Sequence, residues 1–410
     1  MIFGRRKPHW SRRRDYRSGR QPDKIHLFGL GRRHSLGLPA RRLLPKPVRG
    51  HPSCGPFNGR KVAYLQYLCL AVTPPVAAIF IGMPLLESST YRPPVYLWNG
   101  HLQTVIPSLF RKIGVRYVRQ RVETADDDFL DLDWSKALSP ADSGQNPLVI
   151  VSHGLEGDST RQYITGTVRL LNQHGFDCLA WHFRSCSGEL NRQARFYHIG
   201  ETGDLHAVIQ EALKAGYQTI HLVGYSAGGN ITLKYLGEQG ATVHPAIKRA
   251  VGISVPLDLL TTADRLEQWD SMVYNRRFQK TLKEKVRQKS GTLPAAIRAI
   301  DLRRVRSLRQ FDDLITAPLH GFSGVTDYYT RNSSLAFLSK ITVPALVVNA
   351  RNDPFLSSEC FPEALAKELT RVWMEFPRQG GHCGFPSANG LQAPTYAETR
   401  VLQFLTRSAG

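Results

Sequence analysis

The chain has 410 residues, with 54 Lys/Arg against 33 Asp/Glu and a formal net charge of +21. That length holds one large α/β domain plus additions, and so basic a balance raises nucleic acid or an anionic membrane as a partner. Residues 1–82 hold 17 Lys/Arg and 2 Asp/Glu, a net of +15, so the remainder carries only +6 and no recognised nucleic-acid motif. No nucleic-acid partner is expected.

Residues 1–61 are rich in Arg, Gly and Pro, lack hydrophobic periodicity and read as disordered. An apolar stretch follows at 62–86, broken by Gln66 and Pro74-Pro75. It is long enough for a membrane anchor, and the upstream charge fits a cytoplasmic N-terminus. A cleaved signal is disfavoured, because the basic lead is far too long. Residues 116–135 read as an antiparallel hairpin with Asp126, Asp127 and Asp128 at its turn. From Leu148 strands alternate with helices: strands at 148–152, 176–183, 219–224, 250–255, 345–349 and 372–376, helices at 162–174, 203–214, 361–368 and 396–406. Such alternation predicts an α/β fold, a mostly parallel central sheet flanked by helices.

The gap between Val255 and Val343 is too long for a simple loop. It reads as a helical cap, about 257–340, inserted between the sixth and seventh strands. Its long helix, 269–288, is made basic by Arg276, Arg277, Lys280, Lys283, Lys285 and Arg287, with Lys289 just beyond. These charges read as a solvated face in preference to a contact with anionic headgroups, which leaves peripheral membrane contact as a secondary reading. Leu259, Leu260, Leu266, Trp269, Met272, Val273 and Phe278 either line an acyl pocket from above or pack the cap down. Cys54, Cys69, Cys178, Cys186, Cys360 and Cys383 show neither paired nor metal-ligand spacing. Without a secretory signal, such scattered cysteines favour a cytoplasmic setting.

The chemistry concentrates at strand ends. After the apolar run Ile220-His221-Leu222-Val223 comes Gly224-Tyr225-Ser226-Ala227-Gly228, ahead of a helix-compatible stretch. A serine between such glycines, at a strand-to-helix turn, is the nucleophile elbow of an α/β-hydrolase fold. A serine hydroxyl needs a base, and the base an orienting acid. In this fold both follow the serine in the chain. Asp353 comes just after the strand at 345–349, where active-site loops of open sheets lie. Asp258 and Glu375 are weaker by position. His382, between glycines after the strand at 372–376, is the base; His182, His198 and His320 do not follow that strand. The turn His153-Gly154-Leu155-Glu156-Gly157 and the elbow supply the Leu155 and Ala227 amides as an oxyanion hole. His153 anchors that turn, and Glu156 is a loop hydrogen-bonder. No metal or organic cofactor is called for.

These residues resemble the YheT-like family of α/β-hydrolases. The matching strings include Tyr91-Arg92-Pro93-Pro94, Asn99-Gly100-His101-Leu102-Gln103-Thr104, Phe183-Arg184-Ser185-Cys186-Ser187-Gly188-Glu189 and Thr316-Ala317-Pro318-Leu319-His320-Gly321-Phe322. The resemblance covers roughly 83–408 and implies a Ser226–Asp353–His382 triad. It departs at Ser185, where a glycine is expected. It implies a serine esterase or lipase acting on short- to medium-chain acyl esters or acylglycerol-type lipids. An alcohol acyltransferase with the same triad stays open, as does a non-catalytic, membrane-associated binding protein. Met83 resembles a natural start for the family's bacterial members, so 1–82 read foremost as an upstream extension, ahead of a membrane anchor at 62–86 or a functional basic tail.

Overall fold

The computed structural model describes residues 85–86, 89–139 and 144–407. Residues 1–82, and with them nearly all of the apolar stretch, lie outside that range. Its last two residues, Leu85–Leu86, form a short strand (β1).

The hairpin is β2 (Val118–Glu123) and β3 (Phe129–Ser135). The alternating strands are β4 (Leu148–Ser152), β5 (Asp177–Trp181), β6 (Ile220–Tyr225), β7 (Ile247–Ile253), β8 (Ala345–Val348) and β9 (Val372–Glu375). They form one nine-stranded sheet in the order β1-β9-β8-β7-β6-β4-β5-β3-β2. Pairing is parallel from β1 through β5 and antiparallel at β5–β3 and β3–β2. The expected alternation is therefore realised, with β1 added at one edge. A two-residue strand has no periodicity by which to be recognised.

Strands β4, β5, β6 and β8 are buried along their whole length, as expected of a parallel sheet covered on both faces. Each fully buried Val, Leu or Ile contributes roughly 1.5–3 kcal/mol. One core cluster joins Ile150, Leu179, Leu222, Leu233 and Val347; the other joins Val149, Val168, Val223, Leu346 and Val401. The two sets alternate along β4 (149, 150) and β6 (222, 223), so they occupy opposite faces.

Helix α1 (Gly100–Phe110) precedes the hairpin. Helices α2 (Gln162–Gln173), α3 (Thr202–Lys214) and α4 (Ala227–Gln239) connect the parallel strands. Between β7 and β8 lie α5 (Leu259–Leu266), α6 (Met272–Gln288), α7 (Ala295–Arg298), α8 (Leu308–Phe311), α9 (Ala317–Leu319) and α10 (Val325–Asn332). Counting β1, this helical insertion sits between the seventh and eighth strands. Helix α6 begins at Met272, because 269–271 form a turn. Helices α11 (Glu363–Glu368) and α12 (Tyr396–Leu405) follow.

Ser185 has a φ of 64°, the left-handed region that favours glycine. Its Oγ bonds Asn191 Oδ1 at 2.5 Å and accepts from the Asn191 amide at 3.0 Å. That exchange holds Ser185 in this conformation. Next to it, buried Arg184 donates to Asp126 (2.8 Å), Asp128 (2.9 Å) and Asp204 (2.7 Å), tying the β2–β3 turn to α3.

Candidate active site

Ser226 lies between the end of β6 and the start of α4 with φ 52° and ψ −120°. Such a conformation costs on the order of 1–3 kcal/mol and persists only where its surroundings enforce it. Its amide donates to Ile253 O at 2.8 Å, carrying the β6–β7 pairing one step past the strand. The turn tolerates no Cβ at its glycines: one on Gly224 would sit 2.3 Å from Gly228 O, and one on Gly228 2.5 Å from Ser152 O.

The two later loops converge on this serine. His382 Nε2 lies 2.9 Å from Ser226 Oγ, and His382 Nδ1 lies 2.8 Å from Asp353 Oδ2. With the Asp353 carboxylate as acceptor, the ring proton sits on Nδ1 and Nε2 is free to accept from the serine O–H. Asp353 is buried, and its Oδ1 also accepts from the Phe355 amide at 2.8 Å. Burial opposes a charged ring, but the Asp353 carboxylate, with a smaller push from Cys383, outweighs it and raises the pKa of His382 above the usual histidine value. The competing acids are engaged elsewhere: Asp258 caps α5 through the Thr261 amide at 2.9 Å, and Glu375 accepts from Arg400 at 2.8 Å and from Tyr396.

Sequence reading assigned no role to α1, yet α1 holds the histidine loop. Thr104 Oγ1 accepts from the His382 amide at 2.8 Å while donating to Gly100 O at 2.6 Å. Gln103 Oε1 accepts from the Gly380 amide at 2.8 Å and from Asn352 Nδ2 at 3.0 Å. Asn352 in turn takes the Gly381 amide at 3.1 Å. Ser254, itself at φ 52°, accepts from the Cys383 amide at 2.9 Å, and Phe355 stacks on the imidazole at 3.9 Å. The one available signal was the Asn99–Thr104 string, visible only as a resemblance. Thr104→Val removes the hydroxyl under His382 but keeps the side chain's shape. We expect kcat on a soluble ester to fall roughly 10–100-fold, the effect of a small misplacement, with KM unchanged; Thr104→Ser should restore it.

The turn after β4 is fixed from both sides. The Gly154 amide donates to Tyr163 Oη at 3.2 Å and the Glu156 amide to Tyr197 Oη at 3.0 Å, bracketing Leu155. Buried His153 spans Gly154 O (2.7 Å) and the Phe183 amide (3.1 Å). Burial pushes its pKa down to about 3, so the ring is neutral and anchors the turn as expected. Ala227 opens α4, where the first amides of a helix have no partner within it. Glu156 does more than bond within its loop: it accepts from Tyr197 (2.9 Å) and from Lys285 Nζ of α6 (2.6 Å), clamping the insertion to this turn. Lys289 is likewise buried, against Asn191 at 2.8 Å. Two of the seven cations assigned to a solvated face therefore point inward.

Two cavities meet at Ser226. One, of about 80 Å³, runs beneath the helical insertion, with Leu155, Ile199, Leu259, Leu266, Phe278 and Leu308 in its wall. Leu259, Leu266 and Phe278 were among the seven candidate lining residues; Trp269, Met272 and Val273 instead face outward. The second, of about 170 Å³, also contains Ser226 and His382 but includes Ser108, Arg161, Arg277 and Thr281. A larger groove of about 1170 Å³ along Trp134, Lys136, Asp177 and Tyr217 includes no member of the Ser226–His382–Asp353 group.

Among the described residues, His198, Glu201 and His320 bring three potential ligand atoms within 4.8 Å of one another. His198 Nδ1 accepts from the Gly200 amide at 3.1 Å, so its proton sits on Nε2, the nitrogen facing Glu201. Glu201 already accepts from Arg195 at 2.9 Å. A cation on Nε2 would force the ring proton onto Nδ1, against the Gly200 amide, and would face the Arg195 guanidinium, so this donor set does not fit a metal ion.

The family model described as alpha/beta hydrolase fold matches residues 147–388, from β4 to just past His382. An esterase-named protein of Escherichia coli (strain K12), YheT, is 37% identical over 317 residues, covering 75% of this chain and 90% of its own. The chain belongs to the YheT-like family of α/β-hydrolases. This α/β-hydrolase is also similar to phospholipase ABHD3 of Mus musculus, at 28% identity over 78% of each chain. Monoacylglycerol lipase ABHD2 of Mus musculus is 26% identical over 80% of this chain and 86% of its own. The protein is a hydrolase enzyme.

Proposed function

We propose that the protein is a serine hydrolase of carboxylic esters, acting on short- to medium-chain acyl esters or acylglycerol-type lipids through an acyl-enzyme on Ser226. The observation that carries this reading is the unbroken chain from Ser226 Oγ through His382 to Asp353, at 2.9 and 2.8 Å, at the junction of the two cavities. Ser226 Oγ attacks the ester carbonyl as His382 Nε2 takes its proton. Asp353 keeps the remaining ring proton on Nδ1 and stabilises the imidazolium that forms. The amides of Leu155 and Ala227 receive the oxyanion, a contribution of about 10²–10³ in turnover per donor. The tetrahedral adduct collapses, and the leaving alkoxide takes the proton from Nε2. Water then gives a proton to His382 and attacks the acyl-serine carbonyl; the acid leaves and Ser226 Oγ regains a proton.

The apolar cavity suits the acyl chain. Its volume holds roughly six water-sized units, which favours a short or medium tail. The second cavity suits the alcohol and the incoming water, since it reaches solvent at the exposed Leu109 and Arg277. The names carried by the relatives, esterase, phospholipase and monoacylglycerol lipase, favour the same substrate range. No helix among the described residues is long and apolar enough to cross a membrane.

A panel of p-nitrophenyl esters from acetate to palmitate tests the reading. We expect the highest kcat/KM between butyrate and octanoate. A tail one methylene too long for the pocket should lose about 10-fold. Inertness toward every ester in the panel would contradict the reading, and a palmitate optimum would contradict the acyl pocket.

A further inference from the structure

Exposed apolar residues and cations flank the opening that leads to Ser226. Helices α1 and α6 meet where His101 Nδ1 lies 3.1 Å from Tyr274 Oη, the rings stacked at 5.9 Å. His101 Nε2 also lies 3.6 Å from Asp270. Beyond that junction the helices are two walls of the 170 Å³ cavity: Val105, Ser108 and Leu109 on one side, Tyr274, Arg277 and Phe278 on the other. Large apolar side chains stand in water around it. Trp98, three residues before His101, is 71% exposed, and Trp269, next to Asp270, is 86% exposed; Leu109 of the cavity wall is 58% exposed, and Phe110 and Val273, next in sequence to wall residues, are 59% and 71% exposed. Single exposed apolar residues are ordinary, whereas a group of them at a cavity mouth marks an interaction surface.

The charge on the rim of this mouth indicates the partner. Val273, Arg276, Arg277 and Lys280 fall at helical spacing on one side of α6. The three cations are exposed and have no ion-pair partner among the described residues. Other cations on and around this helix are engaged: Arg287 with Glu284, Lys285 with Glu156 and Arg265 with Asp270, while Lys283 donates to Val305 O and Lys289 to Asn191. The acidic groups near the rim are Asp270, neutralised by Arg265 through two bonds of 2.8 and 2.9 Å, and the exposed Glu267.

We propose that this rim docks the enzyme onto an anionic lipid membrane, with Trp98 and Trp269 at headgroup depth and Arg276, Arg277 and Lys280 against lipid phosphates. The indole ring, apolar in body with one polar N–H, belongs at that depth, and unpaired cations gain from a negative leaflet. Docked in this way, the mouth faces the bilayer, and an ester lipid enters the cavity without crossing bulk water. The proposal takes the ester-hydrolase reading as its premise.

The test uses the full chain and phosphatidylcholine vesicles with or without phosphatidylglycerol, their acyl chains brominated near the headgroup. Residues 1–82, with 17 Lys/Arg and Trp10, could hold the chain to anionic vesicles unaided, so every protein in the test carries Trp10→Phe and the readout is quenching of tryptophan fluorescence rather than bound fraction. We expect quenching on anionic vesicles only. It should disappear in Trp98→Phe/Trp269→Phe, which keeps an apolar rim and stays bound. In Arg276→Glu/Lys280→Glu the lipid needed for half-maximal quenching should rise at least about tenfold. Bound but unquenched wild-type protein, quenching unaltered by the charge reversal, or a stable dimer that buries both tryptophans would each overturn the proposal. Both variants should hydrolyse a soluble ester at the wild-type rate. An inactive wild type that is still quenched would count against the ester-hydrolase reading and not against docking.

Discussion

Replacing Ser226 by alanine is expected to lower turnover of p-nitrophenyl butyrate by about 10⁴–10⁶-fold, the scale on which serine nucleophiles act. The Ser226 hydroxyl bonds only His382 among the described residues, and its backbone is held by the Ile253 carbonyl. The fold should therefore survive, with an unchanged circular-dichroism melt. Because nucleophile and base act as one unit, Ser226→Ala/His382→Ala should be no slower than Ser226→Ala alone. A Ser226→Ala enzyme within tenfold of wild type would show that the ester carbonyl is attacked by another group.

Asp353→Asn should cost about 10⁴-fold in kcat near neutral pH, because the amide can donate to Nδ1 and drive the ring proton onto Nε2. In that tautomer His382 cannot accept from Ser226. The same substitution should move the pH profile. His382 acts as a base only when neutral, so kcat/KM must climb as pH rises through its pKa. The Asp353 carboxylate raises that pKa, which places the wild-type limb above the ordinary histidine range. Removing the carboxylate lets the ring lose its proton at lower pH, and the limb should move toward acid. An Asp353→Asn variant with near-normal kcat and an unmoved limb would return the acid's role to Asp258 or Glu375.

The group at Ser226 was legible because each member sits at the carboxyl end of an apolar strand, beside turn-forming residues. Gly224 and Gly228 flank the serine, Pro354 follows the aspartate, and Gly381 precedes the histidine. Local sequence suffices for such features. It could not reveal that Thr104 and Gln103 hold a loop some 280 residues away, since nothing local distinguishes a helix that supports a catalytic loop from one that does not. Helix α6 defeated the reading for a different reason. Its buried face includes the polar Asn275 and Gln279, so no apolar period showed the inward turn of Lys285, and of Lys289 just beyond, or the outward turn of Met272 and Val273. Strand β1, two residues long, falls below any pattern. The left-handed backbone of Ser185, by contrast, gives the expected glycine its physical reason.

The most direct measurement is the site of covalent capture by a fluorophosphonate probe, read by peptide mass spectrometry after digestion. We expect a single phosphonylated residue, Ser226, with labelling lost in Ser226→Ala and strongly slowed in Asp353→Asn. An adduct on a different residue, or an unlabelled protein that still hydrolyses esters, would contradict that expectation.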